Sequence, residues 1–155
     1  MGKIKKFGEI KKIASKLKRK KRTIVFTNGC FDILHYGHIK YLRKCKGLGD
    51  VLIIGLNSDS SVRKIKGKKR PITGQKERAA ILAALELVDY VTVFNEVTPA
   101  RLIKAISPKI LAKGGDWRAK EIVGARHVKK CGGMVVSVPF VRGYSTTAII
   151  ENLKR

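Results

Sequence analysis

Acidic residues are scarce in this chain: eleven Asp and Glu stand against 35 Lys and Arg in 155 residues, a formal net charge of +24. A polyanion must therefore be considered as partner, whether nucleic acid, a membrane surface or a phosphorylated small molecule. Long apolar runs are missing as well. The longest, Ala79 to Leu85, has seven residues, far short of the ~18 that a membrane span needs. The basic N-terminus lacks the apolar stretch of a signal peptide, which argues against secretion. Cysteine is limited to Cys30, Cys45 and Cys131; their odd number and the lack of a CxxC spacing suggest reduced thiols in the cytoplasm rather than disulfides or a zinc site. With only 4 prolines and 44% hydrophobic residues, disorder and collagen-like repeats are excluded, and the length fits one domain able to bury a core.

The positive excess is concentrated. Residues 1 to 22 hold eleven basic residues and one acid, and residues 63 to 70 hold six more and none, so the two stretches carry +16 of +24. In the first stretch Phe7, Ile10, Ile13, Ala14 and Leu17 fall within roughly a 120° arc at helical spacing. That pattern predicts a helix over residues 5 to 20, packed on the domain with a basic outer face; a free basic arm is the alternative. The chain thus divides into a basic amphipathic helix at 1–22 and a domain at 23–155.

Beyond it, short apolar segments alternate with helical patterns. Strands are expected at Thr23 to Thr27, Val51 to Leu56, Tyr90 to Phe94, Ile110 to Ala112 and Met134 to Val138, and helices at Ile39 to Lys46, Gln75 to Leu87, Pro99 to Ile106 and Ala119 to Lys130. Such alternation predicts an α/β fold, a parallel sheet with helices on both faces. In open sheets of this kind ligands bind beyond the carboxyl ends of the strands. There the chain places Thr27, Asn28, Gly29, Cys30, Phe31 and Asp32 after the first strand, followed by His35-Tyr36-Gly37-His38. Asn57-Ser58-Asp59 and the basic loop follow the second, Lys113-Gly114-Gly115-Asp116-Trp117 the fourth, and Gly143-Tyr144-Ser145-Thr146-Thr147 the fifth. Glycines and hydroxyls at strand ends and helix starts suit phosphates, because unpaired N–H groups face the anion there. Two histidines three apart can share one face and donate to one anion; a pair of polar loop residues is the plainer reading.

The segment FTNGCFDILHYGHIKYL resembles the HxGH nucleotidyltransferase superfamily, whose members transfer a nucleotidyl group from ATP or CTP and release pyrophosphate. TNGCFD, GLNSD, the Val62 to Gly67 stretch, LVDYV, LAKGGDW and GYSTT are together similar to heptose 1-phosphate adenylyltransferases, often fused to a heptose kinase; no kinase half is present in this chain. The resemblance implies a Rossmann-like five-stranded sheet ordered 3-2-1-4-5. It implies ATP and a sugar 1-phosphate as small-molecule substrates, Mg2+ bridging phosphate oxygens without a protein metal site, no specific nucleic acid, no membrane insertion, and a homo-oligomer, most simply a dimer. His35 and His38 would stabilise the α-phosphate in the transition state. The backbone from Asn28 to Phe31 would approach the phosphates, Asp32 would order that loop, and Ser145, Thr146 and Thr147 would hold the departing pyrophosphate. Lys66, followed by Gly67, matches the family's charge-stabilising lysine, with Lys64 as second choice and Lys68, Lys69 and Arg70 as solvated surface. Arg78 resembles a phosphate-contacting arginine, a solvent-facing helix position being the alternative. Lys113, Gly114 and Asp116 would form a wall beside base and ribose, with Trp117 as wall or core cover. Cys30 reads as a small packed residue rather than a nucleophile, and His127 as surface.

Arg142 and Tyr144 depart from the family pattern, which has an acid and a different side chain there, so substrate identity is the open point. The rivals are a cytidylyltransferase for glycerol 3-phosphate or a related alcohol phosphate, an FMN adenylyltransferase and, in a different class, a nucleic-acid-binding module. Against the last stand 6% aromatics and no zinc-finger or RNP-like motif.

Overall fold

The strand β2 (Val51–Asn57) is buried at every position, so it needs neighbours on both edges and cover on both faces. The computed structural model, which describes residues 2–115, 121–139, 141 and 143–153, supplies both. Strands β1 (Ile24–Gly29), β2, β3 (Tyr90–Phe94), β4 (Ile110–Gly114) and β5 (Met134–Val138) form one sheet in the order β3-β2-β1-β4-β5. All four neighbouring pairs are parallel, which is the expected Rossmann-like arrangement.

Side-chain alternation splits the core in two. Val25, Leu52, Ile54 and Leu56 point to one face, where they meet α2 (Tyr36–Lys46) and α4 (Gln75–Ala84) through Leu42, Cys45, Ala79 and Leu82. Ile24, Phe26, Val51 and Ile53 point to the other. There they meet α1 (Phe7–Arg19), α5 (Ala100–Ile106) and α6 (Ala125–Lys130) through Ile10, Ala14, Ile103, Ile106 and Val128.

The N-terminal helix is docked, and no free arm is seen. Glu9 Oε2 accepts from the Lys6 amide at 2.8 Å, closing the first turn, while Ile10 and Ala14 are fully buried and the lysines of the opposite side lie in solvent. Ahead of it, Lys3 and Lys5 exchange backbone hydrogen bonds with Val91, so part of the β3 edge is covered.

Two elements differ from the sequence expectation. The basic stretch starts as a helix, α3 (Asp59–Lys66), capped by Ser58 accepting from the Ser61 amide and stopped at Gly67, whose φ of 93° favours glycine. The fourth predicted helix begins only at Ala125, with Glu121 to Gly124 in turns and residues 119–120 outside the described set.

Burial of α1 sets a test. Ile10→Ala should cost about 3 kcal/mol in denaturant unfolding, the scale for truncating a buried aliphatic side chain. Lys12→Ala, on the exposed side, should change stability by less than about 0.5 kcal/mol. Equal effects would contradict a docked helix.

Candidate active site

Strand order reverses between β1 and β4, and the crevice beyond their carboxyl ends is where such sheets bind ligands. A cavity of about 630 Å³ opens there, lined by Asn28 to Asp32, His35, His38, Lys66, Lys113, Gly114 and Ser145 to Thr147 among others. The residues expected from five separate segments are thus brought to one hollow by the topology.

The loop after β1 holds an unusual backbone. Phe31 and Ile33 have φ of 46° and 54°, a region costing side-chain-bearing residues about 1–3 kcal/mol each. Asp32 between them is 1% exposed. Its carboxylate accepts from the amides of Ile72 and Thr73 at 2.9 and 3.0 Å and from Arg70 Nε at 2.7 Å. Burial alone would raise its pKa, but the two backbone amides and Arg70 outweigh it and hold the carboxyl below its ordinary range. The backbone carbonyl of Asp32 accepts from Thr146 Oγ1 at 2.7 Å, tying this loop to α7 (Thr146–Asn152). Arg70, expected as solvated surface, is therefore part of the site's frame and lines the cavity.

Arg78 corrects its sequence reading on both counts, being neither a surface residue nor a cavity cation. It is 1% exposed and lies behind the loop. Its Nε donates to the Thr73 carbonyl, its Nη1 to those of Cys30 and Asn57, and its Nη2 to Asp59 Oδ1, all between 2.6 and 2.9 Å. One guanidinium fork thus staples the β1 loop to the end of β2 and the start of α3. Thr27 also stands behind the cavity: it is fully buried and its hydroxyl shares a 2.6 Å hydrogen bond with Tyr41.

His35 is the N-cap of α2 and His38 lies one turn in, so their rings stack with centroids 3.8 Å apart. The His35 amide donates to His38 Nδ1 at 3.4 Å, which leaves the other ring nitrogen of a neutral His38 as the N–H donor. A Cβ at Gly37 would stand 3.0 Å from the His35 ring and from Tyr144 Cβ, closer than most such contacts, so a side chain there would press on both. His35 Nδ1 is buried without a hydrogen-bond partner in the protein. Burial depresses the pKa of His35, and burial with the neighbouring His35 lowers His38 to about 4. Both imidazoles are therefore neutral donors near pH 7 in the empty protein.

Around them the lining is cationic. Lys66 and Lys113 face the cavity, and burial lowers the Lys113 pKa. Asp32 is already neutralised by Arg70, which leaves Glu121 as the free carboxylate among the described lining residues. Lys64 does not line the cavity, because two residues from Lys66 on a helix is about 200° round the axis. Cys30 is half-buried, and burial raises its thiol pKa, which suits a packed residue. Tyr144 packs against Tyr36 at 5.1 Å, a contact joining the segment before α7 to α2. His127, expected at the surface, is half-buried against Ser107 at 2.9 Å. Asp116, Trp117 and Arg142 lie outside the described residues. No three His, Cys, Asp or Glu among the described residues converge on a metal position. Sequence reasoning missed Tyr41 and the apolar wall of Ile65, Val97, Ile122 and Val123, and read Arg70 as surface; Tyr41 and Ile65 lie in motif-bearing segments but at positions that suggest no phosphate chemistry, and the others reach the cavity through the fold.

Two expectations follow from this geometry. Arg78→Met should destabilise the protein by about 3 kcal/mol in denaturant titrations, because it strands a carboxylate and three carbonyls; a cavity cation would instead leave stability unchanged. The depressed His38 pKa means that the unfolded chain takes up its proton first, so stability is full above pH 6.5 and is lost as pH falls toward about 4. His35 adds the same sign, whereas Asp32 acts only below its ordinary value of 3.8. Melting temperatures across this window should fall less steeply in His38→Asn; parallel profiles would refute the assignment.

The cytidylyltransferase-like family model matches residues 26–152. The bifunctional protein HldE of Nitratiruptor sp. is 55% identical over 97% of this chain, and that of Helicobacter pylori is 52% identical over 94%. These alignments take in 32% and 31% of the relatives, so the chain spans about a third of their length. The solved lipopolysaccharide core biosynthesis protein from Thermoplasma volcanium is 31% identical with a TM-score of 0.63, covering 80% of this chain and 99% of that one. Pantoate-beta-alanine ligase from Francisella tularensis, at 15% identity and TM-score 0.63 over 99% of this chain and 77% of that one, shares the fold. With HYGH at the start of α2 and a cavity of about 630 Å³ with lysines in its lining at the sheet switch, the chain belongs to the cytidylyltransferase-like family of the nucleotidyltransferase superfamily.

Proposed function

We propose that this chain transfers an adenylyl group from ATP to a heptose 1-phosphate, forming the ADP-sugar and pyrophosphate. The observation that carries the reading is the pair of neutral, stacked imidazoles His35 and His38 facing a cavity whose lining also carries Lys66 and Lys113. The choice of heptose rests on the sequence resemblance, together with the 55% identity to a bifunctional HldE and the likeness to a lipopolysaccharide core biosynthesis protein.

A sugar phosphate oxygen is already an anion, so its attack on the α-phosphorus requires no general base. Its lone pair forms the new P–O bond as the bond from the α-phosphorus to the α,β-bridging oxygen breaks, and pyrophosphate leaves with that electron pair. The protein's task is to align the two anions and neutralise charge as the α-phosphorus becomes five-coordinate. His35 and His38 donate to the α-phosphate oxygens, and the nearby triphosphate raises their pKa values so that donation strengthens. Lys66 faces the phosphates from α3, the hydroxyls of Ser145 and Thr147 receive the leaving pyrophosphate while that of Thr146 holds the Asp32 carbonyl, and Lys113 and Gly114 flank the nucleoside. Mg2+ would accompany the triphosphate and offset its charge, and no cluster of carboxylates, imidazoles or thiols among the described residues is arranged to hold it. The reading places the enzyme in the cytoplasm, where ATP is supplied, and as a homodimer.

The family description makes CTP the competitor to test. Incubating the chain with ATP or CTP against heptose 1-phosphate, glycerol 3-phosphate and FMN should release pyrophosphate fastest with ATP and the heptose phosphate. Faster turnover of CTP with glycerol 3-phosphate would move the assignment. His35→Ala and His38→Ala should each lower kcat by about 10²–10³. Lys66→Ala should mainly depress kcat, while Lys68→Ala and Lys69→Ala change it little; equal losses would show a diffuse basic segment.

A further inference from the structure

The amino ends of the strands, opposite the cavity, carry a second charged feature that the proposed reaction does not use. Register sets its shape. Ile24 pairs with Val51, Val25 with Ile110, and Ile110 with Met134, so β1, β2, β4 and β5 begin within one residue of a common level. β3 begins one step further on, Tyr90 pairing with Ile53. At about 3.3 Å per residue the five starts lie within roughly 7 Å along the strand direction. The connections feeding them therefore end at one pole of the sheet.

That pole is basic at most of its handovers from helix to strand; the connection from α4 to β3 carries Glu86 and Asp89 and no cation. Lys20 and Lys21 follow α1, Lys44 sits in the last turn of α2, Lys109 precedes β4, and Lys129 and Lys130 end α6; all six are exposed. Favourable interaction with helix carboxyl ends accounts for many of these cations: Lys44, Lys129 and Lys130 lie in last turns, Lys20 is the C-cap of α1, and Lys109 Nζ donates to the Gly132 carbonyl just past α6; the parallel topology gathers them at one end. The acids there are few and mostly committed. Asp50 accepts from the Thr23 amide and faces Arg22, Asp89 holds Lys46 and the Leu52 amide, and Glu86 stands exposed.

We propose that this pole is a docking surface for an anionic lipid bilayer, on which the protein lies peripherally with its cavity facing water. Exposed lysines gathered at one end of the sheet suit the phosphates of a lipid surface, to which Lys and Arg are attracted one by one. Nucleic acid is the poorer fit. Residues 20–23, 44–50, 85–89, 107–109 and 129–133 contain no aromatic side chain for base stacking, and the level strand starts offer no projecting element to enter a groove. The absence of a long apolar helix among the described residues agrees with surface attachment in place of insertion.

The test is co-sedimentation of the full chain with phosphatidylglycerol-containing vesicles, and with phosphatidylcholine vesicles as the neutral comparison. Binding should require the anionic lipid and weaken as salt rises. The triple variant Lys20→Glu, Lys44→Glu, Lys129→Glu should partition about 100-fold less, compounding roughly fivefold or more per lost cation. A control, Lys68→Glu, Lys69→Glu, Lys76→Glu, has the same net charge but alters the opposite end, and should lose less than about 10-fold. Both should fold cooperatively, the first melting lower because it places Glu at helix carboxyl ends, and binding is read below both transitions. Equal losses would reduce the effect to overall charge and overturn the pole. Binding of RNA at matched phosphate concentration, with no binding to vesicles, would overturn the lipid assignment. Neither outcome depends on which substrate the cavity turns over.

Discussion

The buried carboxylate of Asp32 is the point on which the site's geometry depends. Removing that charge from water is expensive unless it is fully hydrogen-bonded, and the amides of Ile72 and Thr73 with Arg70 meet that requirement. In meeting it they draw residues 70–73, far along the chain, against the loop after β1. The same residue's carbonyl anchors Thr146 at the start of α7, and Arg78 grips the neighbouring Cys30 carbonyl from behind. Three sequence-distant segments are thereby fixed around a backbone that Phe31 and Ile33 hold in a strained conformation. The strain persists because the surroundings over-determine it.

This frame explains how a strongly basic protein presents neutral imidazoles to its ligand. Burial keeps His35 and His38 unprotonated while the lysines around them supply charge. A Cβ at Gly37 would press on the His35 ring and on Tyr144, so glycine there leaves the stacked pair undisturbed. In the proposed reaction charge and directional hydrogen bonding are carried by different residues.

Much of the architecture was legible because its signals are local. Continuous apolar runs such as Val51 to Leu56 and the apolar arc of residues 7–17 read directly as buried strand and docked helix, and the HYGH and GYSTT segments marked the sheet edge. The missed helix α3 had its own signals, Ser58 as cap and Gly67 as stop, but five like charges between Arg63 and Lys69 made the stretch read as a solvated loop. The roles of Arg70 and Arg78 were not readable at all. Each is decided by partners 38 or 48 residues away, and nothing near an arginine in sequence distinguishes a cavity cation from an internal staple.

The central claim is that the sugar phosphate attacks the α-phosphorus directly, with its own oxygens retained. Phosphorus NMR of a reaction run with heptose 1-phosphate labelled with oxygen-18 in its phosphate tests this most directly. The account predicts that all of the label stays in the ADP-sugar, one labelled oxygen bridging the two phosphorus atoms, and that the pyrophosphate is unlabelled. Labelled pyrophosphate or inorganic phosphate, or ADP as the nucleotide product, would contradict it.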